Sequence, residues 1–161
     1  FTDDEAAPLL CAGAIGWRSL RLTGLKNGQN LGLTGFGASG HLVLKTVRYT
    51  YPQAKVFVFA RSPTERAFAV ELGAVWTGDS EETAPEKLHC IIDTTPAWKP
   101  VVAALKNLET GGRLDVSEFL QVAAEIPFKP DVQKYRLEEA NRALLELKEG
   151  KIRGAKVLKI D

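Results

Sequence analysis

Asn30-Leu31-Gly32-Leu33-Thr34-Gly35-Phe36-Gly37-Ala38-Ser39-Gly40 is the stretch on which the fold turns. Leu31 and Leu33 alternate as in a short strand, and His41 to Val47 reads as a helix. Between them lies G-x-G-x-x-G, whose spacing has a physical reason. Gly35 allows the tight turn, Gly37 lets the backbone approach a pyrophosphate, and Gly40 lets the helix pack close to the strand. The phosphates then meet unpaired N–H groups at the positive end of the helix. Glycine-rich turns are common in α/β proteins, so the motif alone is weak. A second strand pattern, Lys55 to Phe59, follows at βαβ distance and favours dinucleotide binding over a merely structural turn. The predicted contacts are Gly35, Phe36, Gly37, Ala38, Ser39 and Gly40, with Phe36 either covering the cofactor or packing on the sheet.

Downstream the alternation continues. Ser62 reads as the N-cap, Pro63 as N1 and Glu65 as N3 of a helix that ends at Gly73. Ala74 to Trp76 is a short third strand, Asp79 to Glu86 a solvated acidic loop, and Cys90 to Ile92 a buried fourth strand ending at Asp93. Pro100 delays the next helix, which runs to a stop at Gly111-Gly112. Arg113-Leu114 opens a fifth strand that ends at once, because Val116, Phe119, Leu120 and Ala123 already keep helical spacing. The expected fold is therefore α/β, a Rossmann-type doubly wound parallel sheet, truncated, covering 1–114. A C-terminal helical and strand segment covers 115–161. In that segment Val132 and Tyr135 are extended, and Leu137, Ala140, Leu144 and Leu147 form the apolar face of a helix up to Gly150. Ala155 to Ile160 closes as a strand.

Upstream, Thr2 and Glu5 have capping-box spacing before the apolar run Ala6 to Ala12, which Gly13 and Gly16 should interrupt. The chain begins at Phe1 and contains no methionine, which reads as a piece of a longer protein. Its 21 Lys and Arg balance 20 Asp and Glu without a basic block, so neither nucleic acid nor a membrane surface is expected as a partner. No apolar run approaches membrane-spanning length and no signal peptide opens the chain, so the cytoplasm is the default. Two cysteines, Cys11 and Cys90, make neither a disulfide framework nor a metal-binding spacing.

In sites that bind NAD, an Asp or Glu at the end of the second strand accepts from the ribose 2′-hydroxyl. Here that position is Ala60, followed by Arg61 and Ser62, a cation and a hydroxyl suited to a 2′-phosphate. NADP is therefore expected ahead of NAD, the bland alternative being an exposed arginine beside an ordinary helix cap. Asp93 lies at the carboxyl edge of the sheet, as a site residue or a turn cap. His41 and His89 read as surface or structural residues, Cys90 as core, and Trp17, Trp76 and Trp98 as packing. Arg153 is a solvated charge or reaches a pyrophosphate.

With these residues in view, the chain resembles the zinc-dependent, medium-chain alcohol dehydrogenases. The resemblance rests on Ala7 to Gly13, Gly35 to Gly40, Glu71-Leu72-Gly73-Ala74, Tyr135 to Asn141 and Gly150 to Gly154, in the family's order. It implies that Cys11 matches a ligand of the catalytic zinc, and that Thr95, Pro96 and Arg153 border the cofactor. It also implies hydride transfer between a small alcohol or aldehyde and the nicotinamide, in a complete enzyme that is a homodimer or tetramer. The family's other zinc ligands, its proton-relay hydroxyl and the last strands of its cofactor domain, near Leu114 and Asp115, have no counterpart in this sequence. Two alternatives stay open. One is a zinc-free quinone or enoyl reductase of the same superfamily, and the other a non-catalytic NADP(H)-binding module.

Overall fold

The computed structural model describes residues 1–95, 98–112, 131–151 and 153–159. Its centre is β1 (Asn30–Thr34), in which every residue is buried. Parallel neighbours lie on both sides, β2 (Lys55–Phe59) and β4 (Cys90–Asp93), and β3 (Trp76–Gly78) completes the order β3-β2-β1-β4. In register, Leu33 pairs with Val58 and Ile92, and Thr34 with Phe59 and Asp93. Strands buried on both faces need apolar residues throughout, and Val56 to Phe59 supply them. Leu31, Leu33, Val56, Val58 and Ile92 form one core with Leu42, Val43 and Val47, while Phe57, Phe59 and Ile91 form another with Leu88 and Ala104. A doubly wound α/β sheet is thus present, as expected from the sequence.

The N-terminal helix differs from expectation. It is helical from Asp3 to Thr23, as α1 (Asp3–Pro8), a π-turn (Leu9–Gly13) and α2 (Ala14–Thr23). The Thr2 N–H donates to Glu5 Oε2 at 2.9 Å, so the predicted start holds. Neither glycine breaks the helix. Pro8 has no N–H for the carbonyl one turn back, and the widened turn follows directly after it. Gly16 instead serves close packing, since a Cβ there would lie 2.6 Å from Val43 Cγ2 on α3.

α3 (Ala38–Thr50) starts three residues earlier than the sequence suggests, capped by Gly37. α4 (Pro63–Glu71) has Ser62 as N-cap and Pro63 in its first turn, as expected. β3 lies two residues later than predicted. α5 (Trp98–Leu105) contains Pro100 in its first turn, where a missing N–H costs no helical bond, and it stops well before Gly111. The expected strand at Arg113-Leu114, its junction with Asp115 and the helix to Glu125 lie outside the described residues.

The C-terminal part is a small parallel pair, β5 (Val132–Arg136) and β6 (Ala155–Lys159), joined through a 3₁₀ turn and α6 (Ala140–Lys148). It packs against α1, with Lys134 paired to Asp4. The predicted apolar face of α6 is not buried. Leu137, Leu144 and Leu147 are 52%, 61% and 47% exposed, while Ala143 is buried. Beneath α6, Lys156 Nζ donates to Tyr135 Oη at 2.5 Å and to Glu146 Oε2 at 2.7 Å. No helix among the described residues is long and apolar enough to cross a membrane.

His41, in the first turn of α3, is fully buried and structural. Its Nδ1 lies 3.2 Å from the Gly37 carbonyl, which can only accept, so Nδ1 carries a proton. Nε2 is buried without a hydrogen-bond partner among the described residues. Burial, and secondarily the Lys45 charge, push its pKa down to about 4, against opposing contributions from the Gly37 and Ala38 backbone and from Asp131. The unfolded chain takes up this proton below pH 6.5 and the folded chain only below about 4. Stability that is complete above pH 6.5 therefore falls as the pH drops through that window, by roughly 3 kcal/mol. Urea unfolding of the wild type and of His41→Gln at pH 7 and pH 4.5 checks this. The wild type should lose more stability between the two pH values than the variant does.

Candidate functional site

The carboxyl ends of β1, β2 and β4 open into a cleft of about 650 Å³. One wall is the loop that the sequence picked out. Gly35 has φ +78°, a left-handed conformation that costs glycine little, and its N–H donates to the Phe59 carbonyl at 2.8 Å. A Cβ on Gly40 would lie 2.8 Å from the Gly35 carbonyl oxygen, so the third glycine is required first by the turn itself. A Cβ on Gly37 would meet nothing within 4 Å and would project into open space. Gly37, Ala38 and Ser39 thus bring the start of a thirteen-residue helix to the cleft, with no side chain at Gly37 to block the approach.

Gly35, Phe36, Gly37, Ala38, Ser39, Arg61 and Thr95 all line this cleft, together with Ala60. The Phe36 ring itself turns away. It is 1% exposed and packs edge-on against Phe68, with ring centres 5.8 Å apart. Packing beside the sheet, rather than covering a ligand, is its side chain's place. Gly40 sits one layer behind, against Gly35. Pro96 lies outside the described residues.

Two other expected residues lie apart from the cleft lining. Ser62 caps α4, its Oγ accepting from the Glu65 N–H at 3.5 Å. Arg153 pairs with Glu71, its Nη2 donating to Oε2 at 2.6 Å, and its guanidinium lies 4.5 Å from the centre of the Phe68 ring. Arg153 therefore stands on Phe68, the ring against which Phe36 packs. The C-terminal part reaches the cleft through Leu147, Lys148 and Gly150 instead.

Sequence reasoning missed the acidic side of the cleft. Asp79, Ser80 and Glu81, expected in a solvated loop, form its wall together with Glu65. The available signal was their position just past a parallel strand, where the carboxyl edge of such sheets is. Glu65 is pushed above the usual carboxylate range by burial, opposed by the Arg61 charge. Asp79 is near Arg66 at 3.5 Å, and Glu81 accepts from Lys99 at 2.5 Å. Arg66 Nη1 also donates to the Ala60 carbonyl at 2.7 Å and to the Arg61 carbonyl at 3.1 Å, which fixes the turn after β2.

At the β1–β4 edge, Asp93 Oδ1 accepts from the Thr34 hydroxyl and, at 2.8 Å, from the Thr95 hydroxyl. His89 accepts at Nδ1 from the Asn30 N–H at 3.0 Å and is structural. Cys90 is buried, which pushes its thiol up to about 11.

Cys11 is exposed on the π-turn. A catalytic zinc takes three protein ligands. Among the described residues no group of three or more His, Cys, Asp or Glu comes together that could hold a metal ion. These residues alone do not fit a zinc site, and Cys11 offers one ligand at most. A dinucleotide fits better, because the glycine turn, the helix start and the cleft are all in place.

No family model matches the chain. A protein named probable alcohol dehydrogenase AdhA, from Mycobacterium tuberculosis (strain CDC 1551 / Oshkosh), is 33% identical over 195 positions, covering 99% of this chain and 56% of that protein. Set against a chain of 161 residues, 195 positions leave at least 34 with no counterpart here. Mannitol dehydrogenase from Petroselinum crispum is 37% identical over 134 positions, 79% of this chain and 39% of that protein. The chain thus spans about half, or less, of these relatives' length. Among solved structures, the CAD from Helicobacter pylori complexed with NADP(H) superposes with a TM-score of 0.81 at 22% identity, over 96% of this chain and 54% of that one, a likeness of fold. The glycine turn on this parallel sheet thus goes with a similarity, along 99% of the sequence, to about half of a probable alcohol dehydrogenase, and with the fold of solved alcohol dehydrogenases.

Proposed function

We propose that the protein is a nicotinamide-dependent oxidoreductase, an alcohol dehydrogenase or aldehyde reductase, and that this chain supplies its cofactor-binding part. Residues 1–114 are the dinucleotide-binding unit, and the segment from about Asp115 is the part that returns toward a catalytic domain. The open face of Gly37 at the start of α3, above the cleft at the ends of β1 and β4, carries this reading. The bound nicotinamide supplies or accepts hydride. This chain's residues hold the dinucleotide by its pyrophosphate and aim it across the sheet edge. The substrate is a small alcohol or aldehyde, in keeping with the names of the relatives, and a homodimer or tetramer is the expected assembly. Two unpaired cysteines suit a reducing compartment, the cytoplasm.

The glycines give a direct test. In Gly37→Ala the new methyl group meets no protein atom, so thermal stability stays within about 1 kcal/mol of wild type while NADPH affinity falls at least about tenfold. In Gly40→Ala the methyl group collides with the Gly35 carbonyl, so both stability and affinity fall. Calorimetric titration with NADPH and a thermal melt separate the two effects. If Gly37→Ala binds NADPH as wild type does, the cleft is not the dinucleotide site.

NADP is the expected cofactor ahead of NAD, because Ala60 leaves no acid for a ribose 2′-hydroxyl and Arg61 lies at the cleft. Asp79 and Glu81 have cations of their own in Arg66 and Lys99, which leaves Arg61 balanced chiefly by Glu65. Arg61→Ala should weaken NADPH binding about tenfold and NADH binding less than twofold. An equal loss for both cofactors would favour NAD.

No step is assigned to a metal. In a protein carrying the remaining ligands, Cys11 would provide one of three, and elemental analysis should find about one zinc per subunit, lost in Cys11→Ser with NADPH affinity unchanged. Retention of zinc in that variant would remove Cys11 from the ligand set. A zinc-free wild type would favour the quinone or enoyl reductase reading.

A further inference from the structure

Asp93 stands in the cleft edge without lining the cleft, and the arrangement around it is more than a turn cap. In register it faces Thr34 across the β1–β4 pair. Thr34 is fully buried, and its hydroxyl donates to Asp93 Oδ1. The same oxygen accepts from the Thr95 hydroxyl at 2.8 Å. The Thr34 carbonyl in turn accepts both the N–H and the hydroxyl of Thr94, each at 2.9 Å. Thr94 is therefore fastened to the end of β1 by a side-chain as well as a backbone bond, and Thr95 is tied to it through the Asp93 carboxylate.

This fastening has a target. A Cβ placed on Gly35 would lie 2.9 Å from Thr94 Oγ1 and 3.1 Å from Thr95 Cγ2. The loop after β4 is thus pressed against the first glycine of the turn after β1, and the two loops form one floor. A carboxylate at the edge of an anion-binding cleft would repel its ligand, but Asp93 is turned onto two hydroxyl donors. Preorganised loops improve affinity by lowering the ordering cost of binding.

We propose that Asp93 is a positioning residue of the dinucleotide cleft, acting through Thr34 and Thr95 to hold the Thr94–Thr95 loop against Gly35. This rests on the dinucleotide reading given above. In a sheet of this order the ligand crosses between β1 and β4, with the adenosine half toward β2 and the nicotinamide half over β4. Asp93 therefore governs the nicotinamide half, while Ala60 and Arg61 border the adenosine half.

Calorimetric titration of the full chain with two probes tests this. NADPH spans the whole cleft, and adenosine 2′,5′-bisphosphate reports only on the adenosine half. Asp93→Ala should weaken NADPH about tenfold and leave the bisphosphate within about twofold of wild type, while Asp93→Asn, which keeps the accepting oxygen, should bind both nearly as wild type does. Thr34→Val removes one donor and should show the same selective loss, about threefold, which keeps the test decisive if Asp93→Ala does not fold. Equal loss for both probes, no loss in any variant, or an Asp93→Asn as weak as Asp93→Ala would each overturn the positioning role. A wild-type chain that binds neither probe would remove the dinucleotide reading itself, and the inference with it.

Discussion

The whole arrangement depends on how closely Gly40 approaches the Gly35 carbonyl, a spacing that leaves no room for a Cβ. Because of that contact α3 begins at Ala38 and rises directly from the end of β1. A helix starting one turn later would leave its first amides away from the sheet edge. With the turn this tight, Phe36 is driven into the core against Phe68, and His41 is drawn under the loop to its carbonyl at Gly37. The loop after β4 then packs on Gly35 from the other side. Binding surface and core are consequently two sides of one short segment.

Much of the fold was legible because its signals are local. β1, β2 and the capped start of α4 follow from alternating apolar residues and from Ser62-Pro63, and they lie where the sequence places them. The start of α3 was obscured because Ala38 and Ser39 belong to a glycine-rich stretch that reads as loop. Gly13 and Gly16 resemble helix breaks, yet tertiary packing of Gly16 on Val43 outweighs glycine's modest helix penalty. Pro100 delays nothing, since the first N–H groups of a helix have no partner to lose.

At the site, the glycine loop, Arg61 and Thr95 meet in one cleft because all follow parallel strands whose carboxyl ends point the same way. Ser62 and Arg153 illustrate the limit of reading residues singly, since each finds a nearer partner, the Glu65 amide for one and Glu71 with Phe68 for the other. Asp79 and Glu81 were hidden by composition, because acidic residues between two strands look solvated whether or not a cleft lies beside them. Whether Arg61 meets a phosphate is a matter of balance among neighbouring charges, which a linear sequence does not display.

α6 shows that helical spacing of leucines predicts a helix but not its burial. The unit it bridges is held by Tyr135, Ala143 and Ala155 and by the Lys156, Tyr135 and Glu146 bonds, with far less apolar surface removed from water than in the central sheet. Stability in this molecule is therefore graded. The amides of β1 and β2 should exchange only with global unfolding, while those of β5 and β6 should exchange through smaller, cheaper excursions that leave the sheet and its glycine turn intact.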